Sequence, residues 1–236
     1  MIDENNLPLN STREPQYRRA LELARENGLT TLGLMTNQAW TDDPRHLVFT
    51  LARYKFVAKM LTGRKRVLEI GCADAFGTRL VVQEVEHLTA SDFDQTFVEH
   101  VLQSMDERWK FDCKQHDLLT GPFPGTFDAA YALDVVEHIA AEQEDLFIGN
   151  LVKSLTPEGV LILGSPSLES QAYASPPSKA GHVNCKTGTT MRTLLEKFFH
   201  NVFVFSMNDE VVHTGYFPMA HYLIGIGCTA KPRDNR

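Results

Sequence analysis

Cysteine is scarce in this chain and spaced for no framework: Cys72, Cys113, Cys185 and Cys228 stand far apart, and no CxxC pair occurs. That spacing argues against a disulfide scaffold and a structural zinc site and fits reduced thiols in a reducing compartment. Positive charge is in deficit too, with 23 Lys and Arg against 30 Asp and Glu and a net charge of −7. A surface of that sign repels phosphate backbones and anionic lipid heads, so neither general nucleic-acid binding nor membrane-surface binding is expected. The densest basic run, Arg64, Lys65 and Arg66, reads as a solvated strand entrance. No apolar run approaches membrane-spanning length, and MIDENNLPLNSTREP at the start is polar and acidic where a signal peptide is basic and then apolar. A cytoplasmic location is the expectation.

What the chain does have is an ordinary globular composition, 43% hydrophobic and 22% charged over 236 residues, enough for one full α/β core and short for two enzyme domains. Residues 1–15 read as a loose or partner-dependent arm, and 16–27 as a helix stopped by Gly28. MTNQAWTDDP reads as a loop, and 44–61 as an amphipathic helix ended by Gly63. Residues 1–62 thus form an N-terminal arm with helices, a lid or a homodimer surface, ahead of a main domain over 63–236. There, apolar strands near 67–70, 127–133 and 160–163 and shorter candidate strands at 87–91 and 111–116 alternate with helical patterns at 77–85, 95–105 and 142–155. Nearly continuous apolar strands of that kind suit a parallel sheet covered on both faces. A helix at 189–199 and strands at 201–207 and 221–228 complete the set, about seven strands in all. The Ser-, Pro- and Gly-rich stretch 165–188 reads as a long functional loop.

The chain is organised around RVLEIGCADAFGT, residues 66–78, an apolar strand followed by a turn of small residues and a helix start. Open α/β sheets bind ligands at the carboxyl ends of their strands. Here those ends carry Glu69 and Gly71, then Asp92, Asp117 and Asp134, acids suited to a ligand with a ribose diol and an amino group. In that order the motifs resemble those of the class I S-adenosylmethionine (SAM)-dependent methyltransferases, most clearly over 66–166. The resemblance implies a Rossmann-like doubly wound sheet, mostly parallel with an antiparallel last strand. It also implies SAM as cofactor and S-adenosylhomocysteine (SAH) as product. By the same resemblance Glu69, Gly71 and Ala73 lie beneath the methionine part and ribose, and Asp92 accepts from the ribose hydroxyls with Phe93 beside the adenine. Asp117 and Leu118 meet the adenine ring, and Leu133 and Asp134 face the methionine moiety. Many family members have glycine where this chain has Ala73 and Ala75. The same alanines break the nicotinamide-type GxGxxG pattern at Gly71, Ala73 and Phe76.

Methyl transfer from a sulfonium is an in-line displacement, so alignment supplies much of the acceleration and a general base helps a hydroxyl acceptor. His138, after the fourth strand, and His182, in the long loop, are the candidate bases beside Asp134. The main reading has no metal. Asp134, Glu137 and His138, with His182 added, also fit a minor reading in which they hold a divalent cation. Quinone-pathway and small-RNA end O-methyltransferases with a similar run use it that way. Arg53, Lys55 and Trp40 read as surface and packing residues, Tyr131 as core, and Cys72 as a small residue of the turn with no base near it. The expected function is methyl transfer to a small molecule, at oxygen because no Asn/Asp-Pro-Pro-Tyr-type run follows the fourth strand. Metal-dependent O-methylation, including of an RNA end, and a non-catalytic SAM-binding or partner-interaction protein are the alternatives.

Overall fold

The structure is a computed structural model that describes residues 12–232. The rest of the expected N-terminal arm and the last four residues of the polar tail lie outside the described residues. The chain divides into two compact units, Met1–Leu32 and Gly33–Arg236. In the first, a 3-10 turn over Pro15–Tyr17 runs into helix α1, Arg18–Asn27, and Gly28 ends it at a φ of 71°, a left-handed geometry that favours glycine.

The second unit begins with α2, Leu34–Asp42, and α3, Arg45–Met60. The α2 segment was expected to be a loop. Its polar sequence has weak helical patterning, and its first turn is capped by a residue distant in sequence. Then come β1 (Arg66–Ile70), α4 (Thr78–Val82), β2 (His87–Asp92), α5 (Gln95–Ser104) and β3 (Asp112–Gln115). They are followed by β4 (Phe127–Leu133), α6 (Glu144–Lys153), β5 (Leu155–Pro166), α7 (Pro176–Gly181) and α8 (Gly188–Glu196). The set closes with β6 (Phe199–Asn208), β7 (Val211–His213) and β8 (Tyr222–Ala230).

The strands form one sheet of eight, in the order β3-β2-β1-β4-β5-β8-β6-β7. β1 to β5 pair in parallel and β6, β7 and β8 antiparallel. The architecture is the Rossmann-like one expected, with β7 as the addition, a three-residue strand too short to show periodicity. β1 lies between β2 and β4, where the order reverses, so the crevice above its carboxyl end is the natural ligand site. The apolar strands are covered on both faces. One core packs Tyr54 and Val57 of α3, Leu61 just after it, and Val98 and Val101 of α5 against the sheet, and the other packs Ile148 and Leu151 of α6 and Met191 and Leu195 of α8. Among the described residues no helix is long and apolar enough to cross a membrane.

The stretch 165–188 is more ordered than a loop. It contains a 3-10 turn at Glu169–Tyr173 and α7, and Ser167 pairs with Lys186 in a parallel bridge. Lys186, 6% exposed, forms an ion pair with Glu144 of α6, and Asn184 Nδ2 donates to the same carboxylate at 2.8 Å.

Candidate functional site

The turn after β1 has an unusual backbone. Gly71, Ala73 and Ala75 have φ of 72°, 46° and 53°. Left-handed geometry costs a non-glycine residue about 1–2 kcal/mol, so the two alanines hold a glycine-type turn under strain. At Gly71 glycine is required twice over, since a Cβ there would lie 2.4 Å from Val135 Cγ2. Cys72 is buried, its thiol pushed up by contact with Cys113 and by burial, which leaves it a packing residue rather than a nucleophile.

The acid at the end of β2, Asp92, is buried and aimed at this turn. Its Oδ2 accepts from the Ala73 N–H at 2.9 Å and its Oδ1 from the Asp94 N–H at 3.0 Å. Two donors leave further lone pairs on that carboxylate for a diol. Phe93 beside it is 70% exposed, an apolar face open to a flat ring. Beyond β3, Asp117 Oδ1 accepts from the Leu119 N–H at 2.8 Å, and Leu118 is buried in the core on the α6 side. Leu133, ending β4, is buried in the core on the α3 side.

Glu69 sits differently. It is 1% exposed and surrounded by hydroxyls: Tyr54 donates to Oε1 at 2.8 Å, and Thr78 and Tyr131 donate to Oε2, each at 2.7 Å. Burial pushes its carboxyl up, and the hydroxyl donors oppose that shift. One carboxylate thereby ties β1 to α3, α4 and β4 beneath the turn. Tyr54 and Tyr131, which read from sequence as stripe and core residues, are its donors.

The end of β4 holds the reactive groups. Asp134 has a φ of 56°, and its carboxylate is gripped by Arg53 of α3, whose Nη1 donates to Oδ1 at 3.0 Å and Oδ2 at 2.8 Å. The Arg53 guanidinium stacks 3.7 Å from the centre of the Tyr222 ring. The i, i+3, i+4 run therefore does not present three ligands on one helical face: the following turn, Val136–His138, is 3-10 and Asp134 faces Arg53. Instead Glu137, His138 and His182 converge, with one ligand atom from each lying within 4.8 Å of the others.

Glu137 is fully buried and, among the described residues, neither carboxylate oxygen has a hydrogen-bond partner of normal geometry; the Ser165 hydroxyl, the least of the influences on its carboxyl, donates to the Pro166 carbonyl at 3.1 Å instead. Burial first, and then the neighbouring Asp134 charge, push its carboxyl up to about 8. The two imidazoles are oriented from behind: His138 Nδ1 meets the Gly181 carbonyl at 2.9 Å and His182 Nδ1 meets Gln171 Oε1 at 2.8 Å. With Nδ1 donating in each ring, each Nε2 keeps its lone pair. Burial, and then the neighbouring His138, hold the His182 pKa below the usual histidine value. One carboxylate and two imidazoles suit a divalent first-row cation, and an unpartnered buried carboxylate is the group such an ion would satisfy. Gln171 had no signal in the sequence, being an ordinary polar residue of a polar stretch.

Residues 67–159 match the family described as methyltransferase domain. A probable S-adenosylmethionine-dependent methyltransferase of Mycolicibacterium smegmatis is 26% identical over 115 residues, 48% of this chain and 42% of that protein. The chain therefore spans less than half the length of the curated relative it matches. Among solved structures, the methyltransferase domain of bacterial CtHen1-C superposes with a TM-score of 0.63 at 17% identity, covering 78% of this chain and all of that one. The N-methyltransferase NodS of Bradyrhizobium japonicum, solved with SAH, gives 0.57 at 21% identity, covering 80% of this chain and 89% of that one. A SAM-dependent methyltransferase of Clostridium acetobutylicum gives 0.65 at 9%, covering 83% and 98%. At these identities the likeness is one of fold.

Proposed function

We propose that the chain is a class I, SAM-dependent methyltransferase that transfers a methyl group from SAM to a hydroxyl oxygen of a small-molecule acceptor, with Glu137, His138 and His182 holding a divalent cation at the reacting end. The methyltransferase-domain match over 67–159 and the convergence of those three side chains support the reading. The observation that carries the reading is the buried Glu137 carboxylate, bare of partners and facing two imidazoles with free Nε2 atoms. The adenosyl ligand fits the turn at 71–77, with Asp92 for the ribose diol and Phe93 for the adenine. Asp134, held by Arg53, borders the same crevice.

A cation held there would polarise the acceptor hydroxyl and ease loss of its proton. Gln171 occupies His182 Nδ1, so the Nε2 lone pair would be the one that ligates the cation, and the proton of the acceptor hydroxyl would pass to bulk water. Glu137 lies in the 3-10 turn after β4, its carbonyl held by the Val183 and Asn184 N–H groups, so the acceptor would be held by the scaffold rather than by a flexible tip. The net charge of −7 favours a small acceptor over a phosphodiester chain. His182 acting as base without a cation is the second reading, supported by its lowered pKa.

The test is calorimetric titration with SAM, SAH and NAD, followed by methyl-transfer assays with and without chelator on phenolic, sugar and RNA 3′-end hydroxyls and on amines. Binding of the adenosyl ligands alone, with oxygen methylation lost on chelation and restored by a divalent ion, is the expected result. Chelator-insensitive turnover selects the metal-free reading, transfer to amines refutes the oxygen assignment, and binding without turnover on any acceptor supports a non-catalytic protein.

A further inference from the structure

Helix α2 has no cap of its own. Its N-cap is Gly33, which carries no side chain. The cap comes from the turn after β1: Asp74 Oδ2 accepts from the Thr36 N–H at 2.7 Å, and Asp74 Oδ1 accepts from Thr36 Oγ1 at 3.1 Å. Oδ1 also accepts from the Phe76 N–H at 3.3 Å. The approach is as close as atoms allow, since a Cβ on Gly33 would lie 2.3 Å from Asp74 Cβ and 2.4 Å from its Oδ2.

Asp74 is not an arbitrary partner. It sits between the left-handed residues Ala73 and Ala75, next to the amide that Asp92 holds. The rest of α2 is loosely attached. Thr36 is its one buried residue, while Leu34, Met35 and Trp40 are 52%, 49% and 55% exposed. A helix with so little buried apolar surface belongs to the low-stability end of a fold, where one charge-assisted cap decides whether it stays docked.

We propose that Asp74 is a positioning residue: it latches α2 to the adenosyl-ligand turn, and release of that latch is the motion by which the ligand enters and leaves. This rests on the reading of 71–77 as the SAM turn. A ligand that fixes the turn fixes the Asp74 carboxylate and so favours the docked helix; by reciprocity the docked helix tightens binding of the ligand, and because undocking is the exit step the gain is read as slower release.

The experiment is stopped-flow dissociation of SAH, read by the fluorescence of Trp40 on α2 in a Trp109→Phe background, together with hydrogen exchange of 34–42 in the ligand-free protein. Asp74→Ala should speed SAH release about tenfold, the loss of a charge-assisted cap, and raise exchange of 34–42 while β4 stays protected. Gly33→Ala should reproduce both effects, because its Cβ takes the place of the carboxylate. Asp74→Asn keeps an oxygen for the Thr36 N–H and should recover part of the loss. SAH release within twofold of the parent in a folded Asp74→Ala protein overturns the latch, and so does unchanged exchange at 34–42. If the parent protein binds no SAH, the cofactor reading itself fails. Faster exchange at 34–42 in Asp74→Ala would then mark a cap without a ligand role, which also overturns the proposal.

Discussion

Tyr131→Phe separates two roles for Glu69, support of the turn and contact with the ligand. The ring stays, with its edge-on packing against Tyr54 at 6.1 Å, and the one loss is the hydroxyl that donates to Glu69 Oε2 at 2.7 Å. A hydrogen bond to a charged group contributes about 1.5–3 kcal/mol. The carboxylate retains Thr78 and Tyr54, so the loss belongs at the lower part of that range, about 1.5–2 kcal/mol. In a protein of this size each kcal/mol moves the melting midpoint by about 2–4 °C, which gives a fall of about 3–8 °C. Urea unfolding followed by circular dichroism gives the stability, and SAH calorimetry on the same samples gives the affinity. Tyr54→Phe should behave alike, and in both variants SAH affinity should change less than threefold, because the hydroxyls face the sheet core. Stability changes below about 0.5 kcal/mol in both variants, with a tenfold loss of SAH affinity in Glu69→Gln, would refute the reasoning and make Glu69 a ligand contact.

Asp92→Ala should cut SAH affinity at least tenfold, since each charge-assisted bond from a ribose hydroxyl contributes about 1.5–3 kcal/mol, and unchanged calorimetric affinity in a folded protein removes the assignment. Glu137→Leu should raise the stability of the metal-free protein by about 1–3 kcal/mol in urea, because a buried polar group without a partner is replaced by an apolar one, while abolishing divalent-cation binding by calorimetry. Ala73→Gly should release left-handed strain and come out neutral to about 1 kcal/mol stabilising in thermal unfolding, with a clear loss of stability counting against the backbone geometry.

The centre of the sheet was legible because β1, β4 and the core of β5 are apolar on both faces and separated by helical periods. Phe127–Leu133 is the strand the sequence marks, and the acids at strand ends follow from Asp92 and Asp134 standing where apolar runs stop. What was not legible depends on partners distant in sequence. The first turn of α2 is capped by Asp74, and no local pattern announces a cap 38 residues away. Ala73 and Ala75 stand where many family members have glycine, and nothing in an alanine side chain announces that the turn between β1 and α4 holds both at positive φ. His138 and His182 were candidates by type and place, but their convergence on Glu137, and the turning of Asp134 towards Arg53, follow from three-dimensional packing that spacing does not encode. β5 runs from Leu155, earlier than its apolar core at 160–163, because Leu155 pairs with Phe127 before a shift in register.

The stretch 165–188 bears on how molecules reach the crevice. The Val183 and Asn184 N–H groups both donate to the Glu137 carbonyl, at 2.8 and 3.0 Å, and Leu168 N–H donates to the Lys186 carbonyl at 2.8 Å. With the Lys186–Glu144 pair, these bonds sew the segment to the end of β4 and to α6. A gate built there would have to break the backing of the proposed cation site each time it opened. The segment is thus a fixed border, and on the proposed reading the traffic of ligand and product falls to α2, which a single side chain holds at its start.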